Sequence, residues 1–132
     1  MFLFKLNHPQ KVAFIKLANR IATMDDGIAD EAESEMLNMM CKEMELCYDP
    51  DSEDIEMEEL TQVFDSKEAR NICLLEAVGI ALTNGNYHNE QRELIFTLNE
   101  AFGYDEEHLK EMEAWVEKMA VITREGTELL LS

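Results

Sequence analysis

The chain has 132 residues, 46% hydrophobic and 8% aromatic, enough for one core and too short for two ordinary domains. Its formal charge is −18, from 11 basic and 29 acidic side chains. That balance argues against direct nucleic-acid binding, which needs lysine and arginine against phosphate, and leaves a cation or a basic protein as the partners that charge favours.

Charge is unevenly distributed. Residues 1–24 carry a net +4, residues 25–59 a net −14, and residues 60–132 a net −8. The middle segment is therefore the main source of acidity. Cys41, Cys47 and Cys73 are odd in number, form no C-x-x-C pair and sit in apolar helical patterns, so all three are expected as reduced, core-packed thiols. The opening Met1–Leu6 is too short for a signal segment, and no apolar run could span a membrane. A reducing cytoplasm is the expected location.

In chain order, residues 1–8 are expected as a short strand or extended arm that covers part of the core. A first helix should start at Pro9, which needs no N–H there, and run to about Met24. Phe14, Leu17, Ala18 and Ile21 mark its inner face. A second helix opens near Asp30 and reaches about Cys47, with Met36, Met40 and Met44 as a core stripe. Residues 48–54 read as a loop, followed by a short helix from Ile55 to Phe64. Asp65 and Glu68 then form a capping box for a helix at about 66–82. Between Ile72 and Leu82 its single charge is Glu76, so it should be the buried central helix. Further helices are expected at about 89–102 and from Asp105. The last should break at Gly126, leaving Leu129–Leu131 as an apolar tail. The fold class predicted is all-α, a compact bundle of about six to seven helices.

The two halves of the chain match. A shift of 58 pairs Phe14 with Ile72, Leu17 with Leu75, Gly27 with Gly85 and Leu37 with Ile95. Beyond that point a shift of 56 pairs Leu46 with Phe102, Tyr48 with Tyr104 and Asp49 with Asp105. A single domain, 1–132, is thus expected to hold two related halves, about 11–64 and 69–119, around the central helix. Paired packing would bring the Gly27 and Gly85 turns near each other.

Candidate chemistry concentrates at the first turn, where Asp25, Asp26, Asp30 and Glu33 surround Gly27. Several oxygens on one turn suit a hard divalent cation such as calcium or magnesium. An EF-hand does not fit. With Gly27 as the loop's sixth position, Asp26 and Glu33 match the fifth and twelfth, but Ala22 and Met24 occupy the first and third. Asp30 and Glu33 also make a D-x-x-E capping box, which explains them without a ligand. Asp25 and Asp26 lie at the carboxyl end of a helix, where acids are disfavoured, and so call for another explanation. The second turn offers Asn84, Glu90 and Gln91. His8, His88 and His108 form no ligand-spaced pattern, although His88 lies in the second turn beside Glu90. Without Ser-His, Cys-His or a glycine-rich phosphate motif, the expectation is non-catalytic.

An apolar helix running into Ala22, Asp26 and Gly27, then a helix with Glu33 seven places after Asp26, with a weaker second copy, resembles the tellurite-resistance TerB-like domain. The resemblance covers roughly residues 11–119. It implies a compact all-α fold of about seven helices, no catalytic activity, and an acidic surface for a divalent cation in a stress-response setting. By position, the family's Asp and Glu fall on Asp26 and Glu33, and in the second copy on Asn84 and Gln91. Those neutral residues retain carbonyl oxygens and lose two negative charges. The alternative is an acidic interaction module, or a nucleic-acid mimic, that docks on a basic partner without metal.

Overall fold

The computed structural model describes residues 1–24, 31–49, 53–83, 87 and 89–132. Every regular element among them is helical, in agreement with the all-α expectation. A 3-10 helix at Leu3–Lys5 precedes α1 (His8–Ala22), α2 (Glu31–Glu43), α3 (Met57–Val63), α4 (Lys67–Thr83), α5 (Asn89–Ala101) and α6 (Glu106–Leu131). Helix α4 packs against α1, α5, α6 and the 3-10 helix, and α1 also meets α2 and α3. The apolar segment is thus the central helix, because a helix with few polar positions must bury most of its circumference. No helix among the described residues is long and apolar enough to cross a membrane.

Local chemistry sets the helix starts. Asn7 Oδ1 accepts from the Gln10 N–H at 3.0 Å while Gln10 Oε1 accepts from the Asn7 N–H at 3.1 Å. This is a reciprocal capping box one residue ahead of the expected start at Pro9. Helix α4 departs from expectation by one residue in the opposite direction. Its cap is Ser66, whose Oγ accepts from the Ala69 N–H at 3.1 Å. Asp65 Oδ1 instead accepts a long 3.4 Å bond from Gln10 Nε2.

The halves keep a single register. A shift of 58 carries the bounds of α2 onto those of α5. It also aligns their carboxyl ends. Leu46 N–H donates to the Cys41 carbonyl at 2.8 Å and Glu45 N–H to Lys42 at 3.1 Å. Tyr104 N–H donates to Asn99 at 3.1 Å and Gly103 N–H to Glu100 at 2.9 Å. Both are Schellman closures around a left-handed residue, Glu45 at φ 59° and Gly103 at φ 86°. The register therefore does not slip to 56. Tyr104 corresponds to Leu46, and the two Tyr-Asp pairs are not equivalent. Tyr48 donates its hydroxyl to Asn19 Oδ1 at 3.0 Å, whereas Tyr104 stacks on His108. Asp105 caps α6 by accepting from the His108 N–H at 3.0 Å.

The amino-terminal segment is a 3-10 turn, not a strand. Leu3 and Leu6 enter the core, Phe2 packs against it and Phe4 stays exposed. Its polar ends are held by two carboxylates. Glu76 accepts from the Phe2 N–H at 2.8 Å and Glu43 from the Leu3 N–H at 2.9 Å. The Met1 amino group lies 2.9 Å from Glu43 and 3.0 Å from Glu76. This explains the single charge between Ile72 and Leu82: Glu76 is half-buried, and its oxygens satisfy donors that would otherwise be orphaned.

Burial, the largest single influence, would lower the Met1 amino pKa; hydrogen bonds and charge from Glu43 and Glu76 together raise it above its ordinary 8.0. A cation held in the fold stabilises below its unfolded pKa, and that contribution disappears as pH rises through the folded value. The urea midpoint should therefore fall from pH 7 to about pH 10, and the fall should shrink in Glu76→Gln. An equal pH dependence in both proteins would remove the clamp as its cause.

Two other expectations change. Gly126 does not break α6, which continues through the leucines to Leu131. Cys41 and Cys73 are buried, but Cys47 is exposed and outside the core.

Candidate functional site

Of the sequence-predicted site residues, Asp25, Asp26, Asp30 and Asn84 lie outside the described residues, as do Gly27, Gly85 and His88. Glu33, Glu90 and Gln91 are described, together with the helix ends that flank both turns.

The carboxyl end of α1 is tightly held. Thr23 N–H and Thr23 Oγ1 both donate to the Asn19 carbonyl, at 3.0 and 2.8 Å. Tyr48 fixes the Asn19 side chain from the far end of α2. The decisive contact comes from the other half of the protein. Gln91 Nε2 donates to the Ile21 carbonyl at 3.0 Å, and Gln91 is 2% exposed. The first turn of α5 thus sits against the last turn of α1. The described segments that flank the two turns are in direct contact through this bond.

Gln91 heads the inner stripe of α5, with Leu94, Ile95 and Leu98 following at helical spacing. That periodicity was the available signal for a buried residue here. Its Nε2 is satisfied, but its Oε1 is buried with no hydrogen-bond partner among the described residues. A buried carbonyl oxygen without a donor costs free energy unless a donor or cation reaches it. The matching position in the first half is Glu33, in the first turn of α2, half-buried and itself partnered.

Glu90 is exposed and takes no part in the Gln91 contact. It lines a groove of about 460 Å³ with Glu93, Glu56, Met24 and Arg20. Arg20 reaches the Ile55 carbonyl at 3.5 Å and Asp54 at 3.9 Å, which offsets part of the acidity. No group of three or more His, Cys, Asp or Glu with metal-holding geometry occurs among the described residues.

Next to the second turn, Tyr87 lies under Arg92, whose guanidinium carbon is 4.9 Å from the ring centroid. Burial, chiefly, pushes the Tyr87 phenol above its ordinary pKa; Glu113 acts in the same direction and Arg92 opposes it. His108 Nε2 meets Asn71 Oδ1 at 3.0 Å, while its ring stacks on Tyr104 with centroids 3.9 Å apart. Burial raises the pKa of the Cys41 and Cys73 thiols, which makes them poor nucleophiles.

The chemistry near the turns is thus an oxygen-rich helix junction. Glu33 and the Gln91 carbonyl oxygen fit a hard cation as ligand types, and the lower charge of Gln91 would make the second-half contribution weaker. In comparisons with known protein families, with curated proteins and with solved structures, nothing matches this chain.

Proposed function

We propose that this chain is a non-catalytic, cytoplasmic TerB-like helical domain that binds a divalent cation weakly at the first helix-to-helix turn, in a stress-response setting. One observation carries the reading: the Gln91 Oε1 is buried without a donor among the described residues, beside the helix end that leads into Asp25 and Asp26. Asp25, Asp26, Asp30 and Glu33 would supply the negative charge, and Gln91 a neutral oxygen. Asn84 and Glu90 belong to the weaker second half of this assignment. The buried Cys41 and Cys73 thiols and the Asn71-bound His108 fit a binding role better than nucleophilic catalysis.

Titration with calcium, magnesium and manganese, followed by calorimetry and thermal melting, tests the proposal. A ligand that binds only the folded state raises the melting temperature. The rise should disappear in the double variant Asp26→Asn, Glu33→Gln. Absence of heat and of any melting shift with all three ions would refute cation binding. That result would favour the second reading, an acidic module docking on a basic protein, which the net −14 of residues 25–59 supports.

A further inference from the structure

We propose that the face of α6 running from Met112 to Leu129 is a self-association surface on which a second copy of this chain packs antiparallel. Helix α6 has 26 residues and a length of about 39 Å. Leu109 near its start is buried, whereas most side chains beyond Lys118 are exposed, with Leu129 at 77% and Leu130 at 86%. Met112, Trp115, Met119, Ile122, Gly126 and Leu129 follow one another at alternating spacings of three and four. That is the a and d pattern of a coiled-coil seam.

The seam complements itself. Setting Met119 against Ile122 of the second copy places Met112 opposite Leu129 and Trp115 opposite Gly126. The largest side chain of the stripe then meets the position that has none. Glycine is unfavourable inside a helix. A Cβ at Gly126 would meet nothing within 4 Å, so packing within the chain does not require glycine there. A cavity for the Trp115 of a second copy gives that glycine a role.

Charge points to the same occupant. At −18, two copies repel over most of their surfaces, but residues 118–132 carry two basic and two acidic side chains and no net charge. Lys118 and Glu125 flank the seam, are exposed, and form no ion pair with a described residue of their own chain. In the antiparallel register Lys118 of each copy lies beside Glu125 of the other, so the pairing occurs twice under the two-fold axis. A groove of about 360 Å³ lined by Phe2, Leu75, His108, Met112 and Trp115 opens on this side of α6. Leu129 of the second copy, opposite Met112, arrives at that groove.

Sedimentation velocity of the full chain from about 1 µM to about 1 mM tests the proposal. A concentration-dependent dimer is expected. Leu129→Glu and Gly126→Leu should each leave monomer, the latter without loss of helical circular dichroism. Lys118→Glu or Glu125→Lys alone should weaken the dimer by about tenfold, and the two together should restore it. A monomer throughout the range overturns the proposal. A dimer indifferent to Leu129→Glu overturns the surface, and failure of the double charge swap to restore association overturns the antiparallel register.

Discussion

Gln91→Glu should destabilise the protein by about 3 kcal/mol at neutral pH, because it exchanges a buried donor for a buried carboxylate. Gln91 is 2% exposed, and its Nε2 donates to the Ile21 carbonyl. The introduced carboxylate would face that carbonyl, with no described donor at the oxygen that is already unpartnered. Burial raises a carboxyl pKa above its unfolded value of about 4.3. The folded state then holds the proton more tightly than the unfolded chain, so stability relative to wild type falls as pH rises above about 4. Gln91→Leu should cost about 1 kcal/mol or less, since it removes one hydrogen bond together with the unpartnered oxygen. Urea titrations across pH 4–8 would check both variants. The same variant also examines the proposed cation site. If an ion reaches this oxygen, calcium or magnesium should recover part of the loss in Gln91→Glu and do nothing for Gln91→Leu. A loss under about 1 kcal/mol in Gln91→Glu would mean that the site is wetter than its burial indicates.

Phe14→Ala should lower stability by about 3–5 kcal/mol, the largest core effect expected in the molecule. Phe14 is fully buried on α1, the helix that packs along α4. Truncation removes its transfer free energy and leaves a core cavity that the packed surroundings close only in part. Small domains carry about 5–15 kcal/mol in total, so the variant should remain folded only marginally and melt roughly 10–20 °C lower. The control is Phe96→Ala, an exposed aromatic on α5, which should change stability by about 0.5 kcal/mol or less. Guanidinium titrations should show a shifted midpoint with an unchanged slope for Phe14→Ala. Comparable losses in the two variants would contradict a core centred on the α1–α4 contact.

Much of the fold was legible because helical periodicity is local. The stripe through Phe14, Leu17 and Ile21, and the nearly uncharged run from Ile72 to Leu82, identified α1 and the central helix from spacing alone. The correspondence of α2 with α5 was visible for the same reason, since matching apolar positions recur at a shift of 58. Its register past the second helix was not. The Tyr-Asp pairs attracted a shift of 56, whereas the hydrogen bonds at Glu45 and Gly103 hold 58. Backbone closure depends on dihedral angles, and Glu45 gives no sequence sign of a left-handed residue, a conformation that most side chains avoid.

Composition and periodicity by themselves determined that this protein is an acidic, all-helical bundle, because burial of apolar stripes admits few other solutions. Tertiary structure alone decided what the exceptional polar residues do. Glu76 sits half-buried on the central helix because the backbone of Phe2 and Leu3 arrives from across the chain needing acceptors for Glu76 and Glu43 to supply. Gln91, a neutral stand-in for Glu33 by position, is the residue that joins the halves at the end of α1. Long-range polar contacts of this kind depend on which donor meets which acceptor in the folded chain. No periodicity encodes that, because the partners lie 40 or more residues apart.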